Sequence, residues 1–153
     1  MGVVDLQLRT CAPAVARQGD DYLEDQRRHL SPYNIIECQI LPPFGSAARK
    51  FAFAQSTADL ARVAIALERF RLAHGKFPDS LDALAPQFLN PVPLDVIGGK
   101  PLHYRLAEDG QFVLYSVGWN EKDDGGVVAL RKGATPPVQD ISQGDWVWSY
   151  RQP

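Results

Sequence analysis

The sequence is poor in the residues on which most active sites are built. Among 153 residues there are three histidines, two cysteines and one methionine. His29, His74 and His103 fall in three different expected elements, and no H-E-x-x-H helix pattern, G-x-S-x-G elbow or GKS/GKT phosphate loop occurs. "GGKP" lacks both the spacing and the hydroxyl of a phosphate loop. Those absences remove the common metalloprotease, hydrolase and nucleotide-binding readings. Cys11 and Cys38 match no metal or redox spacing, which leaves a disulfide and free thiols both open. No apolar run approaches the roughly 20 residues needed to cross a bilayer, and "MGVVDLQLRT" lacks a charged leader followed by a long apolar block. Eighteen acidic against sixteen basic residues give a formal charge of −2, so no global field favours nucleic acid or an anionic membrane surface.

What is present is the balance of one globular domain: 45% hydrophobic and 22% charged residues. Residues 1–45 carry mixed signals. "DDYLEDQRRHL" reads as a charged surface helix, whereas "SPYNIIECQILPPFG" is apolar but broken by Pro32, Pro42 and Pro43. From Ser46 to His74 the chain has no proline and is rich in Ala, Leu, Arg and Glu, which predicts a long helix. Leu60, Val63, Ala64, Leu67 and Phe70 follow the spacing of a buried stripe, and Gly75 supplies a stop. "KFPDSLDALAPQFL" predicts a turn and a short second helix, with Asp79 as N-cap and Pro86 as limit. Leu102, Tyr104 and Leu106 alternate with His103 and Arg105, and Asp109-Gly110 is a hairpin signal before "QFVLYSV". "VVAL" and "DWVWSY" add strands separated by the loop "RKGATPPVQDISQG". The expected fold is α+β: a long spine helix packed on a small antiparallel sheet, after an irregular or helical N-terminal extension.

The oxygen-rich stretch "NEKDDGG", with Asn120, Glu121, Asp123 and Asp124, follows the second hairpin strand, and Asp140 and Asp145 precede the last one. Convergence of the two loops would offer calcium the carboxylates and carbonyls it takes in sets of six to eight, although the order of residues is not that of an EF-hand. The same composition suits a solvated turn. Trp119, Trp146, Trp148, Tyr115 and Tyr150 lie nearby and permit a carbohydrate platform. Alternation puts Trp146 and Trp148 on one strand face, which suits packing on the helix instead. Asp123 and Asp124 form a paired carboxylate without visible burial to separate their pKa values, which argues against acid–base catalysis. Arg49 and Lys50 are too few for "ARKFAFAQ" to anchor a membrane surface helix.

Four stretches in order also resemble one family. "DLARVAIALERFRLAHGKFPDSLDAL" is similar to a helix entering a Y-x-x-x-x-G-x-Y-P turn, at Phe70, Gly75, Phe77 and Pro78. "VPLDVIGGKPLHYRL" resembles lPkDPWGnPYqY through Pro93, Asp95, Gly98 or Gly99, Pro101 and Tyr104. "GQFVLYSVGWNEKDDGG" matches a G-x-y-d-l-x-S-l-G-x-D-G-x-x-G-G run at Gly110, Ser116, Gly118, Gly125 and Gly126, and "DWVW" resembles a closing D-I-x-x-W. From Ala47 to Trp148 the chain thus resembles the soluble domain of type II secretion major pseudopilins (general secretion pathway protein G). The resemblance implies a non-enzymatic structural domain outside the cytoplasm, in the periplasm, that assembles with like subunits and binds calcium in its C-terminal loop. On that comparison Val117 offers a carbonyl, Asn120 replaces a loop aspartate, Asp145 matches the aspartate before the last strand, and Asp123 and Asp124 stand in for later acidic ligands. Residues 1–45 resemble nothing in the family, whose basic leader and long apolar half-helix have no counterpart here. The division expected is therefore an extension of unknown role over 1–45 and a pseudopilin-like domain over 46–153.

Overall fold

A computed structural model describes residues 4–5, 10–29, 31, 33–35, 42–108 and 110–148. Two short strands, β1 (Val4–Asp5) and β2 (Thr10–Cys11), pair antiparallel and lead into helix α1 (Pro13–Arg28). Pro13 occupies the first turn of α1, where its missing N–H costs nothing, and Arg27 and Arg28 close the C-terminal end of the dipole. The charged stretch expected to be helical is the second half of α1. Helix α2 (Pro42–His74) has 33 residues and contains the whole expected 46–74 helix. It is the long helix expected after the N-terminal extension, while the chain's first helix, α1, is the short one. Gly75, with φ of 78°, ends it by donating its N–H to the Arg71 carbonyl at 2.7 Å.

The expected second helix is a single 3-10 turn, Leu81–Leu84, preceded by Ser80 rather than capped by Asp79. Its job is packing: Leu81 and Leu84 are buried in the main core. Strands β3 (His103–Leu106), β4 (Phe112–Ser116) and β7 (Trp146–Trp148) form an antiparallel sheet in the order β3-β4-β7. The β3-β4 hairpin forms as expected, with Tyr104 opposite Leu114; Asp109 of its turn lies outside the described residues. The stretch read as a loop after "VVAL" is corrected by the structure. Gln139–Gly144 is a strand, β6, pairing with β5 (Val128–Leu130) across an irregular register. "QDISQG" lacks the β-branched alternation by which strands are recognised, and pairing with β5 supplies what propensity did not.

One face of α2 covers the sheet. Leu60, Val63, Ala64 and Leu67 meet Leu102, Leu114, Leu81 and Leu84, with Phe70, Tyr104, Phe112 and Trp148 packed round them. A second cluster, Cys11, Ala16, Ala52, Val96, Ile97, Trp119 and Trp146, joins the N-terminal segment to the same helix. Phe53 meets Trp146 edge to face, ring centres 5.3 Å apart. Cys11 and α1 are thus packed against the rest: Cys11 is buried with a free thiol, its N–H bonds to the Val96 carbonyl at 2.7 Å, and α1 buries Pro13, Ala16 and Leu23. Cys38 lies outside the described residues. None of the described helices is long and apolar enough to cross a membrane.

Leu67 has no exposed surface. Leu67→Ala removes its packing and leaves a cavity, an expected cost of about 2–5 kcal/mol, read as a lowered urea midpoint with unchanged slope.

Candidate functional site

The connection from β4 to β5 runs over residues 117–127 and is fixed by two buried carboxylates. Asp145, with no exposed surface, lies between β6 and β7. Its Oδ2 accepts from the N–H of Gly126 at 2.6 Å and of Val127 at 3.3 Å, and its Oδ1 from the N–H of Asp124 at 3.3 Å. Loop and strand are therefore sewn together through one side chain. The approach leaves no room for a side chain at two points. A Cβ on Gly118 would stand 2.4 Å from the Gly144 carbonyl oxygen, and one on Gly144 would stand 2.8 Å from the Ala129 nitrogen.

Asp95 fastens the other end. It is 2% exposed. Its Oδ1 accepts from the Ser116 hydroxyl and the Ile97 N–H, both at 2.8 Å, and its Oδ2 from the Val117 N–H at 3.1 Å. Burial pushes the Asp95 carboxyl above the usual aspartate range, and the three hydrogen bonds together with His103 oppose that rise.

The residues expected to bind metal divide into two groups. The Asn120 side-chain amide donates to Asp124 Oδ2 at 3.0 Å, while the Asp124 backbone reaches Asp145, so Asn120, Asp124 and Asp145 form one chain of contacts. Asp123 turns away. It accepts from the Tyr115 hydroxyl at 3.0 Å and the Gly125 N–H at 2.9 Å, and its Oδ2 stands 3.4 Å from His103 Nδ1. Those amide and hydroxyl donors hold the Asp123 carboxyl below the usual range. His103 stacks on Tyr115 with ring centres 4.9 Å apart, and burial followed by the Asp123 contact pushes the phenol up to about 12. The Val117 N–H is committed to Asp95. Among the described residues no three His, Cys, Asp or Glu side chains converge as a metal cluster. Asp140 is also self-contained, its Oδ1 accepting from the Ser142 hydroxyl at 2.6 Å and N–H at 3.0 Å.

Among the described residues the expected aromatics do not form an exposed platform. Trp119 is 5% and Trp146 1% exposed. Trp148 packs against the main core, as strand alternation anticipates, and Tyr150 lies outside the described residues. His74 caps and packs, with Nδ1 3.0 Å from the Phe70 carbonyl and its ring stacked on Phe70. One contact escaped sequence reading altogether: Arg17 of α1 donates to the Trp119 carbonyl at 2.9 Å and to the Glu121 carboxylate. An arginine 102 residues distant from its partner leaves no local pattern.

No protein-family model matches the chain, and neither a curated protein nor a solved structure matches it significantly.

Asp145→Ala strips three backbone N–H groups of their acceptor, with an expected loss of about 3 kcal/mol. Melting falls by roughly 6–12 °C; wild-type melting would show that the loop is held by something else. Folding raises the Asp95 pKa, so its contribution favours the fold below the ordinary aspartate range and is lost as pH rises through the folded value. Asp95→Asn should therefore remove that downward slope from the curve of stability against pH, measured by urea unfolding across the acid range.

Proposed function

We propose that this chain is a non-enzymatic structural or assembly domain of pseudopilin-like build, working outside the cytoplasm with other subunits of the same class or copies of itself. The supporting observation is how its carboxylates are used. Asp95 and Asp145, both buried, accept five backbone N–H groups and one hydroxyl between them. Catalytic carboxylates need a coordination position open to substrate; these two are spent on holding polypeptide in place. The α+β build, with α2 over a three-stranded antiparallel sheet, is compatible with that reading.

Calcium is the second part of the proposal. Asn120 and Asp124 are side by side over the Asp145 clasp, and Asp123 and the loop carbonyls, Val117 included, are within the same short connection. Hard oxygen donors of this kind suit calcium, which would offset the charge of the loop carboxylates and stiffen the loop. The neutral amide of Asn120 lowers the ligand charge and with it the affinity. A protein-binding role for the loop's outer surface is the alternative retained; a carbohydrate platform has lost its aromatics to the core.

A metal held only by the folded state stabilises by about 2.7 kcal/mol at a hundredfold excess over its dissociation constant. Chelation of purified protein should lower the melting temperature by roughly 5–10 °C, calcium should restore it, and Asp124→Ala should abolish the response. Identical melting with calcium and with chelator removes the calcium part of the proposal.

A further inference from the structure

Two aspartates of the chain precede glycine, Asp109 and Asp124. Glycine puts no side chain in the way when its amide nitrogen attacks the carboxyl carbon of the aspartate before it. Asp109 lies outside the described residues, whereas Asp124 and Gly125 stand exposed in the connection from β4 to β5. Gly125 has φ of 75°, and nothing comes within 4 Å of where a Cβ would be. Water has free access to this peptide link.

Three neighbours act on the atoms that would react. The Gly125 N–H donates to Asp123 Oδ1 at 2.9 Å, within reach of proton transfer from the nitrogen. The Asn120 side-chain amide donates to Asp124 Oδ2 at 3.0 Å, so a donor already faces an oxygen on which negative charge grows as nitrogen adds to Cγ. The third is Asp145. It accepts from the N–H of Asp124 at 3.3 Å and of Gly126 at 2.6 Å, and so anchors the chain on both sides of the link. Anchoring lowers the entropy that ring closure has to give up. A free peptide of the same sequence has none of these contacts held in place.

We infer that Asp124-Gly125 is a self-modification site, which the folded loop converts to an isoaspartyl link that loosens the Asp145 clasp. The step balances with water alone. Starting from the neutral Asp124 carboxyl, the Gly125 nitrogen bonds to Cγ and the C–OH bond breaks. Asp123 takes the proton from the nitrogen and passes it to the departing hydroxyl, which leaves as water. The five-membered succinimide then takes water back: opening at Cγ restores aspartate, and opening at the Asp124 main-chain carbonyl leaves the chain running through Cβ and Cγ. Nothing is oxidised or reduced. The isoaspartyl link carries one more main-chain atom, a lengthening of about 1.5 Å. One carboxylate cannot hold both anchors across the longer link, so an N–H leaves the clasp. The inference rests neither on the pseudopilin-like reading nor on calcium.

The test incubates the full chain, folded and in chelator, beside a synthetic peptide of residues 120–128. Tryptic mapping, with methyl transfer by an isoaspartyl methyltransferase as the detector, follows isoaspartate at residue 124. The folded chain should form it about threefold or more faster than the peptide. Asp123→Asn keeps an acceptor for the Gly125 N–H but not a base, and should slow the folded rate about tenfold; Asn120→Ala should slow it as well. Asp124→Glu, which would need a six-membered ring, should remove the signal. The isomerised fraction, separated by chromatography, should melt about 5 °C below fresh protein. A folded rate no greater than that of the peptide, a rate indifferent to both Asp123→Asn and Asn120→Ala, or an isomerised fraction that melts like fresh protein overturns the proposal.

Discussion

Asp145 has no exposed surface, and the groups that compensate its carboxylate are the backbone amides of residues 124, 126 and 127. Taking a carboxylate out of water costs several kcal/mol unless such partners stand ready, so the loop has to adopt the conformation that presents them. Everything at the C-terminal end follows from that requirement. The loop is drawn against β6 and β7, Gly118 and Gly144 come into contact, and β7 is set where Trp146 and Trp148 can pack. The interaction is strong because it is charge-assisted and sheltered, and it is specific because two oxygens must meet three donors at once.

Asp95 performs the corresponding task for the 93–101 segment, and the two clasps act on the two ends of the same connection. Ser116 and Val117 are tied to Asp95, and the residues from Asp124 to Val127 are tied to Asp145. Between these points the chain carries Asn120, Glu121, Lys122 and Asp123 outward, where their side chains meet solvent, Arg17 or the His103–Tyr115 stack. A rigid frame around an exposed acidic tip is the arrangement a structural ion or a protein contact can use, and it explains why glycine is concentrated at the frame and charge at the tip.

Much of this was legible in the sequence, for reasons that differ by element. Helix α2 was visible because its apolar positions repeat at 3.6 residues and Gly75 stops it; the β3-β4 hairpin was visible because its side chains alternate. The first half of α1 was not legible, because Pro13 and Gly19 interrupt the run ahead of the charged stretch. Strand β6 was hidden because Gln139, Asp140, Ser142 and Gln143 are poor strand formers held by a neighbour. Of the candidate ligands, proximity of Asp124 to Asp145 was anticipated from the two loops, whereas the turning of Asp123 towards His103 depends on the register that sets His103 opposite Tyr115, which the alternation of the hairpin does not fix by itself. The aromatics near the loop suggested a surface, yet burial took Trp119 and Trp146 into the core.

The Arg17 contact carries a consequence for the order of events during synthesis. Its two ends, in α1 and at Trp119, are separated by 102 positions, so the first helix leaves the ribosome long before the acceptor for its guanidinium exists. Until the last third of the chain has been made, Ala16 lacks Trp119 and Trp146 of the cluster that buries it. The Arg17 contact that ties α1 to the loop therefore waits for the chain beyond residue 119. A polypeptide released early would keep both helices and yet offer that unsealed flank to chaperones and proteases.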